Sequence, residues 1–92
     1  MYEIGEMEMN KDEELLVITM EECSEIAIEC SKLIRFGNDA FNTDMLEKEI
    51  GDLVCMIELM CERDWVSWPK IYEQSTKKKE KLKVWSSLYD AS

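Results

Sequence analysis

The stretch NKDEELLVITMEECSEIAIECSKLIRFGN, residues 10–38, predicts one long helix and largely decides the fold. Asn10 followed by Glu13 is the pattern of a capping box, in which each side chain bonds the backbone amide of the other residue. Gly37 at the far end is typical of a helix C-terminus. The first helix is therefore expected to end near Phe36.

Two more helices are expected downstream, after the loop GNDAFNT and the bend DWVSWP. Proline is tolerated in the first turn of a helix, so Pro69 is compatible with a third helix beginning beside it. The expected bounds are a flexible arm at residues 1–9, a first helix to about Phe36, a second from Thr43 or Asp44 to Arg63 or Asp64, and a third from about Trp68 to Ser87.

The composition favours an all-α single domain over residues 1–92. One proline, three glycines and an abundance of Leu, Ile, Met, Glu and Lys favour helices. The short first loop makes the first two helices antiparallel neighbours. A chain this short buries a limited core, so we expect a bundle of three helices per chain that is completed by association into a dimer or tetramer.

Charge and hydropathy exclude several classes of protein. No run of about 18 uncharged apolar residues is present, and the N-terminus lacks the basic and apolar regions of a signal peptide, so a soluble cytoplasmic protein is expected. The net charge of −10 would repel nucleic acid and anionic membranes. Residues 70–83, KIYEQSTKKKEKLK, reverse this balance locally with six lysines against two glutamates.

The four cysteines form no CxxC pair. Helical spacing places Cys23, Cys30 and Cys61 among apolar residues, whereas Cys55 lies elsewhere. Buried thiols in a reducing cytosol are the favoured interpretation, with a zinc site or disulfides as the alternatives.

Acidic residues border the apolar face that is expected on the first helix. Placing successive residues about 100° apart puts Glu22, Glu25 and Glu29 in a stripe beside that face, with Glu21 further toward solvent. The expected core face consists of Leu15, Leu16, Thr19, Met20, Cys23, Ile26, Ala27, Cys30, Leu33 and Ile34.

The second helix repeats this arrangement, with Glu49 and Asp52 along the edge of an apolar face formed by Leu46, Ile50, Leu53, Val54, Ile57, Met60 and Cys61. Antiparallel packing then brings together four carboxylates, those of Glu22, Glu25, Glu49 and Asp52. Such a cluster repels itself and suits a hard cation such as Mg²⁺. The absence of histidine disfavours di-iron and zinc sites. A solvated acidic helix face is the alternative.

The two acidic motifs resemble those of a known enzyme family. EECSE, Glu21 to Glu25, and EIGD, Glu49 to Asp52, resemble the EExxE and ExxD signature of the MazG-like all-α nucleoside triphosphate pyrophosphohydrolases, and residues 11–86 look like the short phage-encoded members. The resemblance implies Mg²⁺-dependent cleavage between the α and β phosphates of a nucleoside triphosphate, which gives a monophosphate and pyrophosphate in nucleotide-pool control or house-cleaning. It also implies that Mn²⁺ substitutes for Mg²⁺, and that the chain assembles as a homodimer or homotetramer, in the host cytoplasm if it is phage-encoded.

The resemblance also assigns roles to residues. Glu22, Glu25, Glu49 and Asp52 match the metal ligands. Glu21 matches a supporting position, and either Glu21 or Glu25 would accept the proton of the attacking water.

The sequence also suggests residues that would contact the phosphates and the base of the nucleotide, but it indicates them less sharply than the metal ligands. Lys77, Lys78 and Lys81 on the third helix are candidates for phosphate binding, although a solvated lysine run is the simpler alternative. The candidates for a base pocket lie near the first loop and are Phe36, Asn38 and Phe41.

Two functions without catalysis compete with the enzyme. One is an acidic interaction protein that mimics DNA, and the other is a decayed MazG-like module for dimerisation or nucleotide sensing. A DNA mimic needs acids spread over an outer surface, whereas the acids singled out here border the expected core, which favours the enzyme.

Overall fold

The computed structural model describes residues 8–91, and within that range the chain is all-α, as predicted. Its helices are α1 (Lys11–Phe36), α2 (Ala40–Glu62) and α3 (Trp68–Trp85), and the described residues form no strand. The chain divides into two compact units, Met1–Leu59 and Met60–Ser92. Most of the expected N-terminal arm, residues 1–7, lies outside the described range.

None of the helices between residues 8 and 91 combines the length and apolar character that crossing a bilayer requires.

The start and end of α1 confirm the prediction. The backbone amide of Glu13 donates to Asn10 Oδ1 at 2.8 Å, and the amide of Asn10 donates to Glu13 Oε1 at 3.2 Å, so the capping box is complete. Gly37 adopts φ 98° and its amide donates to the carbonyl of Leu33 at 3.0 Å. A positive φ favours glycine, which explains why the helix stops there.

The start of α2 was predicted three to four residues too late. Asp39 accepts a hydrogen bond from the backbone amide of Asn42 at 2.9 Å, and this bond caps a helix that begins at Ala40. The buried side chain of Asn42 donates to the carbonyl of Gly37 at 3.0 Å. These two bonds close the turn between α1 and α2 and extend α2 into the segment that was expected to be a loop.

The bend after α2 uses an aspartate where glycine is commoner. Asp64 adopts φ 59°, the amide of Trp65 donates to the carbonyl of Met60, and the amide of Asp64 donates to the carbonyl of Cys61. This pattern satisfies the last carbonyls of the helix. Downstream, α3 begins at Trp68 as expected and ends at Trp85, two residues earlier than expected.

The covered side of α1 differs from the expected core face. Leu15 and Glu29 are buried, and Thr19, Ile26 and Leu33 are half-buried. The other six expected core residues are exposed and recur at spacings of four and three along the helix. We call them the outward stripe: Leu16, Met20, Cys23, Ala27, Cys30 and Ile34.

The prediction that the cysteines are buried is wrong for Cys23, Cys30 and Cys55. Cys23 and Cys30 belong to the outward stripe and are exposed, Cys55 is also exposed, and Cys61 is half-buried. All four are free thiols. The apolar neighbours of Cys23 and Cys30 on the helix do exist, but they too face away from the covered side.

Little of the chain is fully enclosed. Leu15 is the one apolar residue that is buried among residues 8–91, and it is 5% exposed. The expected core residues of α2 are half-buried, except that Ile50 is exposed. A core of this size agrees with the modest burial expected from a short chain.

Replacing Asn42 with alanine should loosen the turn between α1 and α2. The substitution removes the part-buried bond from Asn42 to the Gly37 carbonyl, and losing one partner of such a bond costs about 1–2 kcal/mol. We expect the free energy of urea unfolding, followed by far-UV circular dichroism at fixed protein concentration, to fall by that amount. Asn38→Ala, a change of the same size at an exposed position four residues earlier, is the control. Equal losses in both variants would contradict the role given to Asn42.

Candidate metal centre

The covered side of α1 carries the carboxylate of Glu22. Leu15, Glu22 and Glu29 are seven residues apart, so they lie on the same side of the helix. The outer two are buried, and Glu22 between them is half-buried. The helix α1 is 26 residues long, and the chain turns at Gly37 into α2. The covered side of α1 is therefore the side on which α2 can pack.

Three carboxylates meet between α1 and α2. One oxygen from each of Glu22, Glu49 and Asp52 lies within 4.8 Å of the other two. Glu49 and Asp52 share one side of α2 because they are three residues apart. The side of α1 that carries Glu22 therefore faces α2, and three of the four predicted metal ligands converge.

The electrostatics of this group disfavour three negative charges. Partial burial raises the pKa of Glu22 above its ordinary value, and the nearby charges of Asp52, Glu49, Glu21 and Glu25 raise it further. One oxygen of Glu22, Oε2, is buried and has no hydrogen-bond partner in the part of the chain that the structure describes. A positively charged group at this position would relieve both the repulsion and the unpaired oxygen.

The donor set fits a hard divalent cation. All three groups offer carboxylate oxygens, and the chain has no histidine. Oxygens bound to one Mg²⁺ at about 2.0–2.1 Å are at most about 4.2 Å apart, so small rotations of these side chains suffice to close around the ion. Three carboxylates leave further positions of an octahedral ion for water and phosphate oxygens. Glu22, Glu49 and Asp52 are therefore the residues that would hold Mg²⁺.

The two predicted catalytic glutamates flank this group. Glu25 and Glu21 are half-buried, and both are close enough to Glu22 to raise its pKa. Neither places an oxygen within the convergent group of three. The structure thus puts Glu25, which the sequence also named as a metal ligand, next to the other three ligands and outside their immediate contact.

The predicted phosphate-binding lysines lie on α3, in the second compact unit. Lys77 pairs with Glu73 at 3.5 Å, and both side chains are exposed. Lys78 and Lys81 are exposed as well. Their contact with phosphate stays a prediction.

The predicted base-pocket residues surround the turn between α1 and α2. Phe36, Asn38 and Phe41 are all exposed there. The guanidinium of Arg35 lies 5.1 Å from the centre of the Phe36 ring, so one face of that ring already has a cationic neighbour. Phe41 has no such neighbour among the described contacts, which makes it the more accessible ring of the two.

Sequence reasoning missed the burial of Glu29 and its ion pair. Glu29 had been placed on the acidic stripe with no motif position, but it is 4% exposed, and its Oε2 accepts from Lys32 Nζ at 3.2 Å. The available signals were its spacing of seven residues from Glu22 and fourteen from Leu15, which puts it on the covered side, and its spacing of three residues from Lys32, which allows the ion pair.

Comparisons of the chain with protein-family models, with curated proteins and with solved structures found no match.

Metal-free protein should become less stable relative to Glu22→Gln as the pH rises. The folded state raises the pKa of Glu22 above 4.5, so it favours the protonated form. The stability that this group contributes is complete below its unfolded pKa and is lost as the pH rises through its folded pKa. In EDTA, we expect the melting temperature of Glu22→Gln minus that of wild type to increase from pH 4.5 to pH 7.

Glu47→Gln is the matched control, because Glu47 is exposed on α2 and lies outside the group of three. Its melting-temperature difference from wild type should stay flat over the same pH range. A flat difference for Glu22→Gln as well would contradict the electrostatic description of the site.

Proposed function

We propose that this chain is a Mg²⁺-dependent nucleoside triphosphate pyrophosphohydrolase of the MazG-like type. The observation that carries the proposal is the convergence of Glu22, Glu49 and Asp52 between two antiparallel helices. These residues occupy the second glutamate of EECSE and the two acidic ends of EIGD, which are the motif positions that the resemblance assigns to metal binding. Motif and geometry thus agree on the same three side chains.

The reaction requires a cation, a water molecule and a proton acceptor. Bound Mg²⁺ supplies positive charge that polarises the phosphate and lowers the pKa of water. Glu22, Glu49 and Asp52 fix the position of that charge. Water adds to the α-phosphorus, the bond from this phosphorus to the oxygen bridging to the β-phosphate breaks, and pyrophosphate leaves with that oxygen.

Glu25 and Glu21 are the two candidates for the proton acceptor in this proposal. Each lies beside the group of three without belonging to it, so each keeps a carboxylate that can take the proton of the attacking water. Of the two, Glu25 is three residues from Glu22 and thus on the same side of α1, which favours it as the base. Glu21 then adds negative charge to the surroundings of the site.

An acidic interaction protein is the competing function. Mimicry of DNA would use acids on an outer surface, and the chain does carry many exposed acids. Three acids that converge, two of them half-buried and one of these with an enclosed and unpaired oxygen, serve such a surface poorly. This arrangement is instead typical of a site that receives a cation.

A panel of nucleoside and deoxynucleoside triphosphates, incubated with and without Mg²⁺, tests the proposed activity. We expect Mg²⁺-dependent release of monophosphate and pyrophosphate from at least one of them. Glu49→Gln removes a charge at nearly constant shape, and we expect turnover to fall at least about 100-fold, since even groups behind the ligands of a metal typically contribute 10- to 100-fold.

Mn²⁺ binding, measured by electron paramagnetic resonance without nucleotide, provides a readout that does not depend on turnover. It should weaken in Glu49→Gln and stay unchanged in the control Glu47→Gln, which lies two residues away on the exposed side of α2. If no nucleotide is hydrolysed, or if Glu49→Gln retains wild-type turnover, the proposal fails.

We also propose that the protein self-associates through the outward stripe on α1, as a dimer or as a dimer within a tetramer. The stripe holds no charged residue although the chain has a net charge of −10, so two copies can meet there without opposing acids. Its spacing of 4-3-4-3-4 reads the same in both directions, which suits a twofold antiparallel contact between copies. With Leu15 as the one buried apolar residue among residues 8–91, further burial is available mainly between copies.

Met20→Glu should shift this equilibrium toward monomer. Met20 is 68% exposed in the stripe, and the twofold symmetry of the contact would bury two new charges at once. Light scattering coupled to gel filtration should give the mass of a dimer or tetramer for wild type and of a monomer for the variant. Val84→Glu, at an exposed apolar position on α3, is the control and should leave the mass unchanged. A monomeric wild type would contradict this assignment.

A further inference from the structure

An ion pair between a buried carboxylate and a partly exposed ammonium lies on α1 beyond the group of three carboxylates. The side chain of Glu29 is 5% exposed, and its Oε2 accepts from Lys32 Nζ at 3.2 Å. Its other oxygen, Oε1, is buried without a hydrogen-bond partner in the described part of the chain. Burying a carboxylate is costly unless it is paired, and an unpaired buried oxygen is uncommon enough to require an explanation. Glu29 therefore depends on the Lys32 ammonium for its compensation.

This dependence holds Lys32 in place. The Lys32 side chain is 40% exposed, and an ammonium has three N–H donors. One donor is used by Glu29, and because the side chain is partly exposed, the other two donors are within reach of solvent or of a bound anion. Unlike a lysine on a fully solvated surface, Lys32 presents its free donors from an anchored position, so less conformational freedom is lost when it binds an anion.

The position of the ammonium relates it to the group of three. Glu29 lies seven residues beyond Glu22 on the covered side, which is about 10.5 Å along the helix axis. Side chains of a helix lean toward its N-terminus, and the Lys32 ammonium accordingly lies at the level of Glu29. Glu22 and the ammonium are therefore separated by a distance that one nucleoside triphosphate can span.

The other cations of the first compact unit are less suited to this role. Lys11 is exposed at the beginning of α1, and Lys48 is exposed on α2. Arg35 is exposed, its Nε donates to the carbonyl of Ser31, and its guanidinium lies over Phe36. Lys32 is the cation of this unit that is both partly buried and anchored by a buried acid.

We infer that Lys32, positioned by Glu29, binds the phosphate chain of the nucleotide whose metal is held by Glu22, Glu49 and Asp52. The inference rests on the proposed function and adds a phosphate-binding residue on the same helix as the metal ligands. Glu29 is a positioning residue, since its own carboxylate faces the ammonium. The chemistry that Lys32 recognises is a phosphate oxygen, with no preference for a base or sugar.

The test uses the full chain and inorganic tripolyphosphate with Mg²⁺, so that no choice of base is needed. Lys32→Gln alone would leave Glu29 buried and uncompensated, which destabilises the fold itself. The informative variant is therefore Lys32→Gln combined with Glu29→Gln, which replaces the ion pair by two amides. We expect calorimetric binding of tripolyphosphate to weaken at least about 10-fold, the size of one lost charge-assisted hydrogen bond.

Three comparisons isolate the contribution of the lysine. Lys32→Arg keeps the charge and should retain affinity within about 3-fold of wild type. Lys11→Gln removes the same charge eleven residues before Glu22 and should have no effect. Glu29→Gln alone frees Lys32 from its anchor, so KM for the hydrolysed nucleotide should rise while kcat stays nearly constant.

The possible failures are distinguishable. If wild type binds Mn²⁺ and hydrolyses nucleotides but the double variant keeps wild-type affinity for tripolyphosphate, the inference about Lys32 is wrong and the proposed function stands. If wild type hydrolyses no nucleotide, the proposed function is wrong and the inference falls with it. If Lys11→Gln and the double variant lose equal affinity for tripolyphosphate, the effect comes from the net charge of the protein alone. That result would also overturn the inference.

Discussion

The carboxylate of Glu22 lies partly buried opposite two further carboxylates, and the first compact unit has to hold it there against repulsion. The contacts that do so lie at the two ends of the helix pair. Leu15 is buried near the beginning of α1, and the side chain of Asn42 closes the turn at the other end. The unfavourable electrostatics of the middle are therefore offset by packing and hydrogen bonding on either side, as is common where a fold keeps a functional site.

The sequence predicted a helix end correctly when all the residues that form the cap lie within one turn of the helix. Asn10 and Glu13 satisfy each other's amides, so the start of α1 needs no knowledge of the rest of the chain. The start of α2 was missed because it depends on Asp39 and on a side chain, Asn42, that reaches back to the end of α1. A turn that is held by contacts across five residues looks like an ordinary polar loop in the sequence.

The side of α1 that is covered was the harder prediction, because the apolar face expected from periodicity is broad and only one edge of it is covered. The covered edge carries Leu15, Thr19, Ile26 and Leu33, and the outward stripe forms the rest. The meeting of Glu22 with Glu49 and Asp52 was nevertheless predicted, because motif spacing on two antiparallel helices is enough to bring their edges together. The ion pair of Glu29 was not predicted. Its burial follows only when the side of α1 that carries Glu22 and Glu29, and not the outward stripe, is known to face α2.

The proposed site also resolves how a chain with a net charge of −10 would bind a polyanion. The three carboxylates repel phosphate as long as they carry no cation, and a single anchored ammonium at Lys32 is too little to reverse that sign. A divalent cation changes the local charge by two units, and only then do the cation and the ammonium attract the same phosphate chain from its two ends. In the proposed site, binding of metal and of nucleotide would therefore be coupled, and by thermodynamic linkage each would raise the affinity of the protein for the other by the same factor.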